Sequence, residues 1–301
     1  MVKENDKEKM KTKIMVIGDV MLDTYVEGKV ERISPEAPIP ILEVKDIYHS
    51  LGGAANVAKN LCSFDINTYL IGYVGNDSNG EIFKKLIEED KINNKLFQTN
   101  VTTSKRRYGW PQMLRVDKEE RVRQEESDLI KIIEYIDDIN PSSVIVSDYA
   151  KGCITQPLYN ALIKKSIKAG YDLIVDPKPK NNIDYKGCSL ITPNIKEAIE
   201  LSGEDDIKDI GKNLSKKYNC NVLITRGKDG MDLFYGAMHD HVPSIAKDIY
   251  NVSGAGDAVI ASMAYSLSMG LSLPEAMDFS NKVAGDIVLV KSTSIEKKYD
   301  I

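Results

Sequence analysis

No two of the four cysteines, Cys62, Cys153, Cys188 and Cys220, form a Cys-x-x-Cys pair, so neither a zinc ribbon nor a disulfide framework is indicated. Buried free thiols in a reducing compartment are the expectation. No apolar run approaches the roughly 18 residues that a membrane span needs. The charged stretch 1–13 lacks the apolar segment of a secretory signal and reads as a short tail, which makes the expected location cytoplasmic. Basic residues are not in excess: the net charge of −5 argues against a general nucleic-acid binder, whose footprint is a basic surface. The Gly-x-x-x-x-Gly-Lys-Ser/Thr pattern is missing, which removes the P-loop kind of phosphate site. Internal repeats, low-complexity runs and a linker between domains are missing too. His239-Asp240-His241 offers too few ligands for a metal centre and reads as a turn at a strand edge.

What is present is an ordinary globular composition, 42% hydrophobic and 28% charged over 301 residues, enough for one large α/β unit or two average domains. Short β-rich runs at 14–17, 68–73, 143–147, 172–175, 190–192 and 222–225 alternate with amphipathic stretches. That alternation is the pattern of a parallel sheet covered by helices. In 156–169, Leu158, Leu162, Ile163 and Ile167 recur at helical spacing, and Gly170 is suited to close the helix. Two segments, 25–48 and 101–116, break the pattern by alternating polar and apolar residues. They read as a small extra sheet serving as a lid, with edge strands of no functional consequence as the other reading.

Open α/β sheets bind ligands at the carboxyl ends of their strands, so polar residues there are the candidates. The sharpest signal is Gly254-Ala255-Gly256-Asp257 before an apolar helical stretch. Small residues let backbone N–H groups approach an anion, and the helix dipole points its positive end there. Asp257, in the first turn, could take the proton of an attacking hydroxyl; the same tetrapeptide could also be a tight turn with an acidic cap. Asp19 and Asp23 follow the first strand, where carboxylates accept from sugar hydroxyls. Gly52 and Gly53 open a helix that carries Asn56, whose amide both donates and accepts.

Gly18-Asp19 with Asp23, Gly52-Gly53 with Asn56, Asp176-Pro177-Lys178, Thr192-Pro193-Asn194 with Glu197, Thr225-Arg226-Gly227 and Gly254-Ala255-Gly256-Asp257 occur in this order. Together they resemble the ribokinase-like carbohydrate kinase family, often called PfkB, from about residue 14 to about 293. Within it, Arg32 to Pro38 and Ser147-Asp148-Tyr149-Ala150-Lys151-Gly152 look like the heptose-7-phosphate kinases, which phosphorylate an anomeric hydroxyl. Another sugar or sugar phosphate (ribose, fructose, a fructose phosphate) and a non-catalytic sugar or nucleotide sensor are the alternatives.

The resemblance implies a Rossmann-type three-layer α/β sandwich over 14–301 with a β-sheet lid, ATP and Mg²⁺, and a homodimer paired through the lid. It implies Asp257 as base, with Gly254, Ala255 and Gly256 as the anion hole. Asp19, Asp23, Gly52, Gly53 and Asn56 would bind sugar, and Lys178, Asn194, Thr225, Gly227 and Asn281 nucleotide. Asn194 and Glu197 would position Mg²⁺ through water, although the same spacing also makes a helix cap. A sugar phosphate needs a cationic anchor, for which Arg115 comes first, then Lys151, Arg106 and Arg107. The chain departs from the family at Asn251, where Asp is common, which leaves a monovalent-cation site open. It departs also at Tyr108 to Pro111 in the lid, at Lys291-Ser292-Thr293, which lacks a glycine, and in having no His-x-Gly-His nucleotidyltransferase signature.

Overall fold

A computed structural model of the chain describes residues 12–109, 111–245, 254–288, 293–295 and 299. Residues 1–11 of the expected tail, Trp110, Asn251 and Lys291-Ser292 lie outside the described residues, whereas Lys13, the last residue of that expected tail, opens the first strand. Strand β1 (Lys13–Gly18) carries Ile14 and Val16 on one face and Met15 and Ile17 on the other, all fully buried. A strand apolar on both faces has to lie inside a sheet covered on both sides. The sheet has nine strands in the order β13 (Met238–Val242), β12 (Met231–Tyr235), β11 (Asn221–Thr225), β10 (Leu190–Ile191), β9 (Asp172–Asp176), β8 (Ser143–Ser147), β1, β4 (Asn67–Gly75) and β5 (Asn93–Thr99). Neighbours from β11 to β5 are parallel, whereas β12 and β13 pair antiparallel.

Helices α1 (Ala54–Cys62), α2 (Ser78–Glu89), α7 (Ala255–Ser268) and α8 (Leu273–Ile287) share a core with Ile14, Val16, Leu70 and Ile145. Helices α3 (Glu126–Ile139), α4 (Gln156–Ala169), α5 (Ile195–Ser202) and α6 (Ile207–Tyr218) share the other core with Met15, Ile17, Val144 and Val146. The result is the expected three-layer sandwich. Helix α4 has the expected limits: the Thr155 hydroxyl accepts from Leu158 N–H at 3.3 Å, and Gly170 closes the helix at φ 77°. Among the described residues no helix is long and apolar enough to cross a membrane.

All six expected strand windows hold strands, and parallel order brings the ends of β1, β8, β9, β10 and β11 to one edge. Strands β5, β12 and β13 were not read from the sequence. The last corrects one expectation: His239 and His241 lie within strand β13, not in a turn. Both face Asp232 across the ladder, with Nε2 of His239 2.7 Å and Nδ1 of His241 3.2 Å from its carboxylate, and Arg226 joins at 2.9 Å.

The lid is a separate four-stranded sheet in the order β3 (Pro40–Gly53), β2 (Val20–Ile33), β6 (Ser104–Tyr108) and β7 (Leu114–Lys118). It is longer than the alternation at 25–48 and 101–116 suggested, because β2 leaves the core directly after β1. Its buried root, Val20 to Leu22, has no polar partner positions to reveal the period. Ladder partners share a face, so Asp23, Ser50, Lys105 and Asp117 lie on one side together with Tyr25, Tyr48, Arg107 and Arg115.

Candidate active site

Asp257 enters the first turn of α7 at the edge where the strands end, and its residue is buried to 8% exposure. Nδ2 of Asn56, from the first turn of α1, donates to its Oδ2 at 2.6 Å, and the Tyr149 hydroxyl donates to its Oδ1 at 2.8 Å. Burial pushes the carboxyl up to about 6; the two hydrogen bonds and Lys105 pull against that, and Asp23 adds to it. A carboxylate tuned near neutrality can both take and release a proton, which is the property of a general base. Asn56 donates also to the Thr293 carbonyl at 2.9 Å, and its Oδ1 is buried without a partner among the described residues. A buried acceptor on the same amide that donates to Asp257 fits a ligand hydroxyl.

Glycine is required on both sides of this pair. Gly53, which precedes α1, has φ 59°, and a Cβ there would lie 2.3 Å from the Asp19 carbonyl oxygen. Gly254, which caps α7, has φ 83°, and its Cβ would lie 2.1 Å from the Thr293 oxygen. At Gly256, by contrast, a Cβ would meet nothing within 4 Å, so the backbone there borders open space. Gly254, Gly256 and Asp257, at the N-terminal end of α7, all border one cleft. Gly52 serves differently: a side chain there would strike Asp23 Oδ2 at 2.6 Å.

Asp19 turns out to be an anchor of backbone. Its carboxylate accepts from the N–H groups of Tyr149 (2.9 Å), Lys151 (3.0 Å) and Cys153 (2.9 Å). Burial pushes its carboxyl up, and the three amides hold it back. Asp148, also buried, accepts from Ala150 N–H (2.7 Å), Asn181 Nδ2 (2.7 Å) and the Tyr185 hydroxyl (2.6 Å). The turn after β8 is therefore pinned by two carboxylates, and Ala150 is held at φ 58°.

On the lid, Asp23 accepts from Arg107 at 2.7 Å, and Arg107 stacks over Tyr25 with its guanidinium carbon 5.1 Å from the ring centroid. Arg115, directly across the ladder from Arg107, forms a two-pronged pair with Asp117 at 2.7 and 2.5 Å. Lys151 pairs with Glu119. Arg106 has the opposite strand parity and an exposed side chain. Lys105 was not among the sequence candidates, yet it is half-buried, 5.6 Å from the Tyr149 ring centroid, and its ammonium is pushed down by burial. Strand parity would have found it, because Lys105 must share the face of Arg107.

On the far side, a cleft of about 230 Å³ is walled by Asp176, Lys178, Asn194, Glu197, Thr225 and Gly256, with Asp257 at its end. Asn194 caps α5 by accepting from Lys196 and Glu197 N–H at 3.1 Å each. Glu197 accepts from Asn194 N–H at 3.2 Å and from Lys178 Nζ at 2.8 Å. Asn194 and Glu197 thus form the helix cap that the spacing also allowed, and both border the cleft. Asp176 adds a third acid whose carboxyl is pushed far up by burial, then by Glu197 and Asp257. Among the described residues no group of three or more acidic, histidine or cysteine side chains could hold a metal ion directly, so a magnesium ion here would meet Asn194 and Glu197 through water. Gly227, at φ 58°, opens a short turn beside Thr225. Asn281 is not a wall of the cleft; its amide donates to the Pro243 carbonyl at 2.9 Å.

Comparison with known proteins gives the same picture at larger scale. The bifunctional protein HldE of Shewanella sediminis is 36% identical over 301 residues, covering 97% of this chain and 63% of that protein. The chain therefore spans less than two thirds of the length of these bifunctional relatives. A D-beta-D-heptose 7-phosphate kinase of Bordetella bronchiseptica is 35% identical over 294 residues, covering 95% of this chain and 93% of its own. Among solved structures, phosphofructokinase-2 from Escherichia coli in complex with potassium superposes with a TM-score of 0.78 at 16% identity, over 95% of each chain. Ribokinase from Arabidopsis thaliana complexed with ribose and ATP gives 0.72 at 20% identity, over 97% and 96%. These two establish the ribokinase-like fold. With residues 11–109 and 119–298 matching the model of the pfkB family carbohydrate kinases, and with a buried, near-neutral carboxylate at the mouth of a glycine-lined helix, the chain belongs to that family.

Proposed function

We propose that this kinase transfers the γ-phosphoryl group of ATP to the anomeric hydroxyl of D-glycero-D-manno-heptose 7-phosphate, giving the 1,7-bisphosphate that precedes an ADP-heptose. The observation that carries this reading is the placing of Asp257 between the cleft beside α7 and the cationic face of the lid. Asp257 takes the proton of the attacking hydroxyl while its oxygen bonds to phosphorus and the ADP oxygen leaves. The amides of Gly254, Ala255 and Gly256 meet the charge on the moving phosphoryl group. Asn56 Oδ1 and Asp23 orient the sugar. Lys178 and Thr225 line the nucleotide side, with Gly227 next to them. Glu197 and Asn194 would hold Mg²⁺ through water; when bound, the ion supplies positive charge that neutralises the phosphates.

Arg107, Arg115 and Lys105 are one face's supply of cations, a match for a substrate that carries its own phosphate. The opposite lid face exposes Ile47 (53%), Leu114 (56%) and Val116 (44%), which supports a homodimer formed by two lids meeting on that side. Four free thiols and the dependence on ATP support a cytoplasmic location.

The test is coupled ADP release with Mg-ATP against D-glycero-D-manno-heptose 7-phosphate, fructose 6-phosphate, ribose and fructose over concentration series. Efficient turnover with the heptose phosphate alone is expected. Preference for another sugar would overturn the substrate, and turnover with none would overturn the activity. Asp257→Asn is expected to lower turnover by roughly 10²–10⁴.

A further inference from the structure

Two unusual features of the turn after β8 have no role in the transfer as described. Ala150 holds a left-handed backbone conformation, φ 58°, that is uncommon for a residue with a Cβ. Six donors on two buried carboxylates impose it here: three amides on Asp19, and Ala150 N–H, Asn181 and Tyr185 on Asp148. The side chain this turn delivers to the cleft is that of Tyr149, whose hydroxyl lies 2.8 Å from Asp257 Oδ1.

We infer that Tyr149 is a positioning residue for the reaction: by donating its phenolic hydrogen to Oδ1, it aims the Asp257 carboxylate and keeps it in the ionised form that can accept the proton. This rests on the reading of Asp257 as the base. A carboxylate has about four acceptor sites on two oxygens. Asn56 takes one on Oδ2 and Tyr149 one on Oδ1, which stops rotation about the last side-chain bond and leaves one lone pair on each oxygen for the sugar hydroxyl. Both donors favour the ionised form, against burial. The other groups that face Asp257 are Asp23 on β2, Lys105 on β6 and Asp176 at the end of β9. Lys105 favours ionisation, whereas Asp23 and Asp176 oppose it. The phenol itself stays protonated, since burial and then Asp257 and Asp176 push its ionisation well above the usual range, so it donates at every working pH.

The test compares pH profiles of kcat/KM for the sugar substrate selected by the panel above, in the wild type and in Tyr149→Phe. Losing one donor to a charged acceptor is expected to move the acidic limb upward by about one pH unit, with KM for ATP unchanged. Replacing Tyr149 by 3,5-difluorotyrosine, a stronger donor of the same shape, is expected to move the limb downward. Ionisation of the substrate's own phosphate near pH 6 also shapes the profile, but no substitution in the protein moves it. A limb that stays in place in both variants, even with lower rates, overturns the inference and leaves Tyr149 a packing role. Asp257→Asn separates the two readings. If it retains turnover, the base assignment itself falls; if it is inactive while the Tyr149 variants leave the limb unmoved, only the positioning inference falls.

Discussion

Above about pH 6 the protein carries an ionised Asp257 in a place where burial opposes the charge. The rise from the ordinary 3.8 to about 6 corresponds to ~3 kcal/mol of native stability. Its sign follows from proton counting. Between those two values the native state keeps a proton that the unfolded chain has released, so stability falls as pH rises through the window and stays lower above it. Asp257→Asn removes this titration. Urea unfolding of the variant and the wild type at pH 4 and pH 8 is expected to show the variant gaining on the wild type by ~2–3 kcal/mol between the two. An equal difference at both pH values would mean that the carboxylate is not strained. Asp257, Asn56 and the glycines around them were legible in the sequence because each residue type has a distinct chemical use. The anchoring of Tyr149 by Asp19 and Asp148 was not, since a carboxylate that accepts three amides looks in sequence like one that accepts a sugar.

At the scale of elements, α7 separates two jobs that its glycines share in the one-letter pattern. Gly254 sits at φ 83° with the Thr293 carbonyl where a Cβ would go, while Gly256 borders open space. Gly254→Ala is therefore expected to cost at least ~1–3 kcal/mol in urea unfolding. Gly256→Ala is expected not to lower stability, since alanine is favoured over glycine within a helix, and to raise KM for ATP or lower kcat, because its methyl group would enter the cleft that Gly256 lines. Loss of stability in both, or in neither, would contradict this division. Lid strand β6 makes the same point about parity. Three consecutive cations, Lys105, Arg106 and Arg107, read alike in sequence, and only the register with β2 shows that the outer two face Asp23 and Tyr25 while the middle one faces away.

For the molecule as a whole, one lid face carries Lys105, Arg107 and Arg115 while the other exposes Ile47, Leu114 and Val116 beside Arg106, and each face has its own measurement. Neutralising Lys105 or Arg115 as Gln is expected to raise KM for the sugar phosphate by roughly 10–100-fold, the worth of a charge-assisted contact, with KM for ATP unchanged. Equal effects on both constants would move these cations out of the sugar site. Sedimentation of the wild type is expected to show a dimer that Leu114→Lys dissociates, and a wild-type monomer would remove the lid pairing. The alternation of apolar runs determined the three-layer fold by itself, because a strand with both faces apolar has only one stable environment, between two layers of helices. The order of glycine and acidic motifs likewise determined the family. What only the tertiary structure decided is which residues meet: Asn56 and Asp257 are 201 positions apart and Tyr149 lies 108 positions from the same carboxylate, distances in sequence that no local pattern encodes. Their meeting depends on parallel strands ending at one edge, and hence on the long-range packing of both helical layers.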